Sequence, residues 1–345
     1  MGIREVALQA GVATTTAWRV LHGDRTVDSR LARRVRETAE KLRYYPNSKA
    51  RTLASGGSRI VGLIVSEITN PFFPPLIQSF EEAALKHDYE ILLATTGHNL
   101  DRMKLAVRRL VERRVDGIAL LTLEMEDVLK EIESLQVRKT PFVIADALGP
   151  VHGMTNIRID YEDGIRQAVQ HLAALRHRRV AFVAGPPSLR SAVARREAFE
   201  RCVEEICLDA TPELIVGGDH SIEAGMRAVA ELFALAAPPT AVICSNDLTA
   251  IGVMHGAYDR QIAIPSQLSV IGSEDIRVSE FTTPPLTTIR LSQFELGSIA
   301  FDALNECIAQ PDSNGSRDYS VSTDLVLRKT TTLLRNGHDR SEVEA

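Results

Sequence analysis

The chain reads as an α/β protein with a three-helix helix-turn-helix head and two doubly wound parallel-sheet lobes behind it. Three observations predict this. First, charge is segregated: residues 1–58 hold 11 basic and 5 acidic side chains, a net of +6, while the remainder carries −11. The −5 of the whole 345-residue chain hides a basic head on an acidic body, the footprint of a nucleic-acid module attached to something else. Second, the head contains three short apolar stripes at helical spacing, broken by Gly11 and by Gly23-Asp24. Third, strand-length apolar runs alternate with amphipathic stretches, twice over, beyond residue 59.

In the head, Ile3 to Leu8 places Ile3, Val6 and Ala7 on one helical face. Gly11 suits the tight turn that follows, since glycine accepts positive φ without steric cost. A second helix from about Thr14 to Leu21 turns Ala17, Val20 and Leu21 inward and leaves Thr14, Thr15, Thr16, Trp18 and Arg19 outward. Threonine can bond a base or touch a thymine methyl, and arginine can bond guanine bidentately. A third helix over about Ser29 to Leu42 carries Leu31, Val35, Ala39 and Leu42, and Tyr44-Tyr45-Pro46-Asn47 breaks it. A generic three-helix bundle and a plainly solvated basic face would share these features.

Ile3–Val12, Thr14–Leu21, Tyr45-Pro46-Asn47 and Ala50-Arg51-Thr52-Leu53, in this order and spacing, resemble the lactose-repressor (LacI/GalR) family of bacterial transcription regulators. The resemblance continues through Ile60–Val65, Asn70–Phe73, Arg114–Ile118 and Ser245-Asn246-Asp247, and covers about residues 2 to 335. It implies base reading by Thr14, Thr15 and Arg19, a phosphate contact at Thr16, and further DNA contacts at Asn47, Ala50 and Arg51. It also implies a hinge helix over Ser48 to Ser55, which is too short to be stable alone. Leu53 of that helix would wedge into the minor groove beside its dimer mate and kink the duplex. A plain linker is the other reading of this stretch, given Gly56-Gly57-Ser58 just after it. The sequence departs from the family at Ala13 (usually serine), Trp18 (usually small) and His22 (usually asparagine).

The body's expected strands are Ile60–Val65, Ile91–Ala94, Gly117–Leu121, Phe142–Ala145, Val180–Ala184, Leu214–Val216, Ala241–Cys244 and Ser269–Ile271. Between them lie helices over Leu76–His87, Met103–Arg113, Val128–Leu135, Gly164–Leu175, Ala192–Ile206, Glu223–Leu235 and Thr249–Tyr258. Folds of this kind bind ligands outside the carboxyl ends of their strands and close on them by hinge motion. The resemblance implies a body like that of periplasmic sugar-binding proteins. Its three crossings would fall near Asp160, Thr288–Arg290 and Ser322–Leu325. The domains are then a head (1–46), a hinge and linker (47–58), and a two-lobed effector-binding and dimerisation body (59–335). Lobe 1 covers about 59–160 and 290–322, and lobe 2 about 161–289 and 323–335. The polar tail, 336–345, has no leucine heptad to form a tetramerising coiled coil.

Candidate ligand contacts at strand ends are Ser66, Asn70, Phe72, Phe73, Asp146, Arg195, Asn246, Glu274 and Asp275. Acid, amide and guanidinium groups can bond vicinal hydroxyls bidentately, and a ring can cover a sugar face. The resemblance matches Asp146, Arg195, Asn246 and Glu274 to polar effector contacts, and places His220 where the family often stacks a ring. His220 replaces the usual Phe or Trp, and Ser273-Glu274 replaces an aromatic-Asp pair, which points to a small polar ligand rather than a purine. Each residue also has a structural reading. Asp146 and Asp247 can cap helices or turns, and Asn70-Pro71 can start a helix. Phe72 and Phe73 can be core, His220 surface, and one of Arg195 and Arg196 merely solvated.

Four cysteines, Cys202, Cys207, Cys244 and Cys307, have neither disulfide-framework nor metal-ligand spacing, so neither a metal nor a cofactor is expected. The N-terminus lacks an apolar leader, and no run nears the ~18 apolar residues of a membrane span; a cytoplasmic protein is expected. P-loop, GxGxxG, GxSxG and HExxH motifs are absent. The expected function is a sequence-specific DNA-binding regulator, a homodimer on a pseudo-palindromic operator, controlled by a sugar-like effector. A solute-binding protein or a sugar-acting enzyme on a similar body is the alternative.

Overall fold

The computed structural model describes residues 2–21, 24, 26–44, 57–121, 140–145, 155–209, 211–310 and 319–334. The hinge segment with Asn47, Ala50, Arg51 and Leu53, His22, the helix expected near 128–135, Asp146 and the tail lie outside these residues. The chain divides into two compact units, residues 1–60 with 114–116, and residues 61–113 with 117–345.

The first unit holds α1 (Ile3–Gln9), α2 (Thr14–Leu21) and α3 (Ser29–Lys41). Asp28 caps α3 by accepting from the Arg30 and Leu31 amides at 3.0 and 3.2 Å. Gly11 turns the chain between α1 and α2 with φ of +62°, as the helix-turn-helix reading requires. The core is built from Val6, Ala7, Ala10, Ala17, Val20, Ala32, Val35 and Ala39, all buried. Five alanines in eight positions let the helix axes approach closely. Leu31 is only half-buried and Ala32 takes the interior position beside it. In the same unit, Asp116 binds the chain entering the first strand, accepting from the Ser58 amide at 2.6 Å, the Ser58 hydroxyl at 2.8 Å and the Arg59 amide at 2.9 Å.

The body begins with β1 (Ile60–Val65), α4 (Phe73–Lys86), β2 (Glu90–Thr95), α5 (Leu100–Glu112), β3 (Gly117–Leu120), β4 (Phe142–Ala145) and β5 (Thr155–Asp160). It continues with α6 (Tyr161–Ala174), β6 (Val180–Val183), α7 (Arg190–Glu205), β7 (Ile215–Val216), α8 (Ile222–Leu232), β8 (Ala241–Cys244) and α9 (Asp247–Asp259). Then come β9 (Ser269–Glu274), β10 (Thr287–Leu291), α10 (Gln293–Ala309) and β11 (Tyr319–Val326). Strand order is β2-β1-β3-β4-β5-β11-β10-β9-β8-β6-β7.

β11 joins the two halves. Its residues 319–322 run parallel to Ile157–Asp160 of β5, and its residues 323–326 run antiparallel to Thr288–Leu291 of β10. The register puts the carboxyl end of β5, at Asp160, opposite Ser322, and the carboxyl end of β10, at Leu291, opposite Thr323. The neighbouring strands β3 and β4 on one side, and β9, β8 and β6 on the other, are parallel to these two. The carboxyl ends of both halves therefore face one another across the middle of β11, and that arrangement locates the site.

Each half has its own core. Phe80 and Phe301, from α4 and α10, meet edge to face at 5.6 Å in one. Phe182 of β6 and Phe199 of α7 stack at 4.9 Å in the other. Each such ring contributes roughly 1.5–3 kcal/mol through burial. Four of these elements, β5, β10, α10 and β11, are absent from the sequence expectation. β5 alternates buried Thr155, Ile157 and Ile159 with exposed Arg158 and Asp160, so it has no continuous apolar run. β10 buries two threonines, Thr287 and Thr288. α10 did carry a signal: Ser292 accepts from the Glu295 amide at its start, and Leu296, Ala300, Phe301 and Leu304 form a buried stripe.

Candidate functional site

A cavity of about 460 Å³ lies where the opposed carboxyl ends meet. Ser66, Leu121, Ala145 and Tyr161 line it from the ends of β1, β3, β4 and β5, and Glu274 and Leu291 from the ends of β9 and β10. Arg190 and Arg195 enter from the start of α7, and His220 and Ser221 from the start of α8.

Asn70, Phe72 and Phe73 sit together at the start of α4. The Asn70 Oδ1 accepts from the Phe72 amide at 3.0 Å, closing the turn that starts the helix. The two rings meet edge to face at 5.3 Å. Both belong to the hydrophobic core and both line the cavity.

Arg195 is 5% exposed. Its Nη1 donates to the Ser245 carbonyl at 2.8 Å, and its guanidinium lies 4.8 Å from the Tyr161 ring centroid. Arg196 points outward and pairs with Glu200 at 2.9 Å. Glu274 holds a φ of +104°, unusual for a side-chain-bearing residue, which turns the end of β9 toward the cavity. Its Oε1 stands 3.7 Å from Arg195 Nη1, too far for a hydrogen bond, and its Oε2 has no hydrogen-bond partner among the described residues. Burial pushes the Glu274 carboxyl up to about 8, against the pull of Arg195, so the group is mostly neutral at pH 7. The Arg190 Nε is likewise buried without a partner among the described residues.

His220 has a φ of +65° and shares a 2.9 Å hydrogen bond between Nε2 and the Ser245 hydroxyl. Gly185 makes room for this ring: a Cβ there would lie 2.0 Å from His220 Nε2. Burial, with nearby Arg195, lowers the imidazole to about 3, so it is neutral. His220 is thus a wall residue and not a surface one.

Asn246 departs from its expected role. It is fully buried and off the cavity wall, with its side chain committed to the fold. Oδ1 accepts from the Thr249 amide at 2.9 Å to cap α9, and Nδ2 donates to the His220 carbonyl at 3.1 Å. It acts on the cavity by holding His220. Asp247 is structural too, accepting from the Ile276 amide, the Ser279 hydroxyl and the Thr288 hydroxyl at 2.8, 2.8 and 2.5 Å. Burial outweighs these bonds and raises its carboxyl to about 7. Asp275 pairs with Arg328 at 2.6 Å, off the cavity wall.

Sequence reasoning missed Tyr161, Arg190, Asp219 and Glu67 on the wall. Tyr161 follows the unrecognised strand β5, and Arg190 opens a helix expected to begin two residues later. The Leu189-Arg190-Ser191 run after Pro186-Pro187 was the available signal for that earlier start.

In the head, Thr14, Thr15, Trp18 and Arg19 are exposed along α2 and Thr16 is half-buried. Ala13, without a side-chain acceptor, leaves the first amides of α2 uncapped by it. Arg19 is tied to Asp24, its Nε donating to Oδ2 at 2.7 Å. Among the described residues no group of His, Cys, Asp and Glu could hold a metal, and no helix is long and apolar enough to cross a membrane.

Two sequence profiles match the chain: "Bacterial regulatory proteins, lacI family" over residues 2–47, and "Periplasmic binding protein-like domain" over residues 169–331. The HTH-type transcriptional repressor PurR of Vibrio atlanticus (strain LGP32) is 30% identical over 333 residues, covering 96% of this chain and 99% of that protein. Among solved structures, the lac repressor dimer bound to operator and the anti-inducer ONPF superposes with a TM-score of 0.85 at 25% identity, over 96% of this chain and 99% of that one. A complex of the transcriptional regulator CelR with cellobiose gives 0.72 at 26% identity, again over 96% and 99%.

Proposed function

Because the chain belongs to the lacI family of bacterial regulatory proteins, we propose that it represses transcription from a DNA operator and that a neutral sugar in the body's cavity sets its operator affinity. The observation that carries the ligand class is that two cavity-lining residues each hold a buried polar atom without a partner among the described residues, Glu274 Oε2 and Arg190 Nε. Leaving such groups unpaired costs about 1–3 kcal/mol each. A polyhydroxylated ligand donates and accepts through the same groups and so satisfies both. Tyr161, Phe72 and Phe73 supply the apolar faces that cover a sugar ring. Among the described residues, Glu67, Asp219 and Glu223 outnumber Arg190 and Arg195 on the wall, which disfavours phosphorylated or acidic sugars.

Lobe 1 comprises about residues 59–160 and 290–322, lobe 2 about 161–289 and 323–335, and the protein acts in the cytoplasm as a homodimer. Thr14, Thr15 and Arg19 read bases, while Thr16, Asn47, Ala50 and Arg51 complete the DNA contact. Ligand binding biases the lobes' orientation and so the formation of the hinge helix that wedges Leu53 into DNA. The ligand shifts this balance only by its differential affinity for the two states. Relatives that are regulators, and the base-reading head, favour this reading over a solute-binding protein or an enzyme.

A thermal-shift screen against neutral sugars, sugar acids and sugar phosphates tests the cavity, since a ligand that binds only the folded chain raises its stability. Stabilisation by acids or phosphates alone would overturn the neutral-sugar assignment. Leu53→Ala should weaken operator binding and abolish DNA bending while leaving sugar binding intact; undiminished bending would rule out the wedge.

A further inference from the structure

The exposed arginine of α2 is not loose. Its Nε donates to Asp24 Oδ2 at 2.7 Å and its Nη2 to the Thr26 hydroxyl at 2.5 Å. That hydroxyl in turn donates to Asp24 Oδ1 at 2.6 Å, and the Thr26 amide donates to the same oxygen at 2.8 Å. The bonds form a consistent chain. Asp24 takes the single hydroxyl proton of Thr26, so a lone pair of that oxygen is left facing Arg19. Both carboxylate oxygens are engaged, and Thr26 with Arg19 holds the Asp24 carboxyl well below the usual carboxylate range.

A guanidinium has two hydrogen-bonding edges, the side edge of Nε with one terminal nitrogen and the end edge of the two terminal nitrogens. Asp24 and Thr26 occupy the side edge. Among the described residues Nη1 has no partner, so the end edge stays available, and that edge has the spacing of guanine O6 and N7. We infer that Asp24 and Thr26 are positioning residues that clamp Arg19 so that its end edge meets a guanine in the operator. This rests on the proposed base-reading role of Arg19.

The clamp has two consequences that pull in opposite directions. It fixes a flexible side chain before binding, which lessens the ordering cost at the interface. It also sets a carboxylate beside the helix proposed to read DNA, which weakens sequence-independent attraction to phosphates. A clamp therefore trades general affinity for base discrimination, which a merely structural turn residue would not do.

The test uses the full-length chain and its preferred site, selected from a random-sequence duplex pool, with binding measured to every single-base-pair variant of that site. Arg19→Ala should erase discrimination at one guanine pair per half-site, by about 10- to 100-fold. Asp24→Asn retains an acceptor for the Thr26 amide but loses the charge. It should remove most of the same discrimination, several-fold or more, while binding to non-specific duplex is unchanged or tighter. Thr26→Val should act in the same direction and Thr26→Ser should restore the wild-type preference. If Arg19→Ala erases the guanine preference and Asp24→Asn and Thr26→Val keep it, the clamp is wrong and base reading stands. If Arg19→Ala changes no base preference, base reading by Arg19 is wrong. Parallel weakening of specific and non-specific binding by Asp24→Asn would assign Asp24 to the turn alone and overturn the inference.

Discussion

The recognition helix and the body cavity treat their polar groups in opposite ways. On α2, Arg19 already has two partners in the free chain, Asp24 and Thr26, and remains exposed to solvent. At the cavity, Glu274 Oε2 and Arg190 Nε are buried with none among the described residues. A surface that must find one site among many gains from groups fixed in advance. A pocket that must change a conformational balance gains from groups whose needs only the ligand meets. The first kind of site costs little to keep in water; the second is maintained at the expense of stability.

The largest expected effect follows from that expense. Folded Glu274 keeps its proton up to about pH 8, whereas the unfolded carboxyl loses it near 4.5. Between those values the folded chain binds a proton the unfolded chain does not, so this group's contribution to stability falls as pH rises. Glu274→Gln should flatten that fall in denaturant titrations from about pH 5 to 8 and make the protein more stable at pH 8 than the wild type. A slope unchanged by the substitution would mean that Glu274 is not held at a cost. His220 works the other way, neutral when folded down to about pH 3 but protonated near 6.5 when unfolded. Its contribution is lost as pH drops below 6.5.

Arg195→Ala should come next. Loss of the bond to Ser245 and of the cation over Tyr161 should weaken sugar binding by about 2–3 kcal/mol, with DNA affinity in the absence of ligand unchanged by fluorescence anisotropy. A normal ligand response would move the effector site elsewhere. Gly185→Ala should cost about 1–3 kcal/mol in stability, because its methyl would displace the His220 ring from Ser245. It should also weaken the ligand measured by calorimetry. Asn246→Ala should have the smallest effect, about 1 kcal/mol of stability from the lost cap of α9, with a modest loss of sugar affinity through His220. A loss as large as that of Arg195→Ala would return Asn246 to direct contact.

Legibility in the sequence differed along the same lines. The core of the head was largely legible, because three short helices write their burial as local spacing: Val6, Ala7, Ala17, Val20, Val35 and Ala39 are interior as the pattern predicts, while Ile3, Leu21, Leu31 and Leu42 are only half-buried and Ala10 and Ala32 fill the interior beside them. In the body, β1, β4 and β8 coincide with continuous apolar runs. β10 and β11 escaped notice because they pair with each other at the junction of the halves and bury Thr287, Thr288 and Thr323 in place of apolar side chains. The cavity was half legible. Residue type pointed to Arg195, Glu274 and Phe72, which line it, and also to Asn246, which does not. The cap on the Thr249 amide is three residues away and local, but the bond that commits the other end of the Asn246 amide, to the His220 carbonyl, spans 26 residues, and local pattern carries no record of it.

The most direct measurement titrates the full-length protein onto its selected operator duplex at several salt concentrations, with and without the stabilising sugar, for wild type and Arg195→Ala. Specific binding that weakens steeply with salt, responds to the sugar in the wild type and ignores it in Arg195→Ala is the predicted result. Absence of specific duplex binding at moderate salt, with or without sugar, would contradict the assignment of a ligand-controlled repressor.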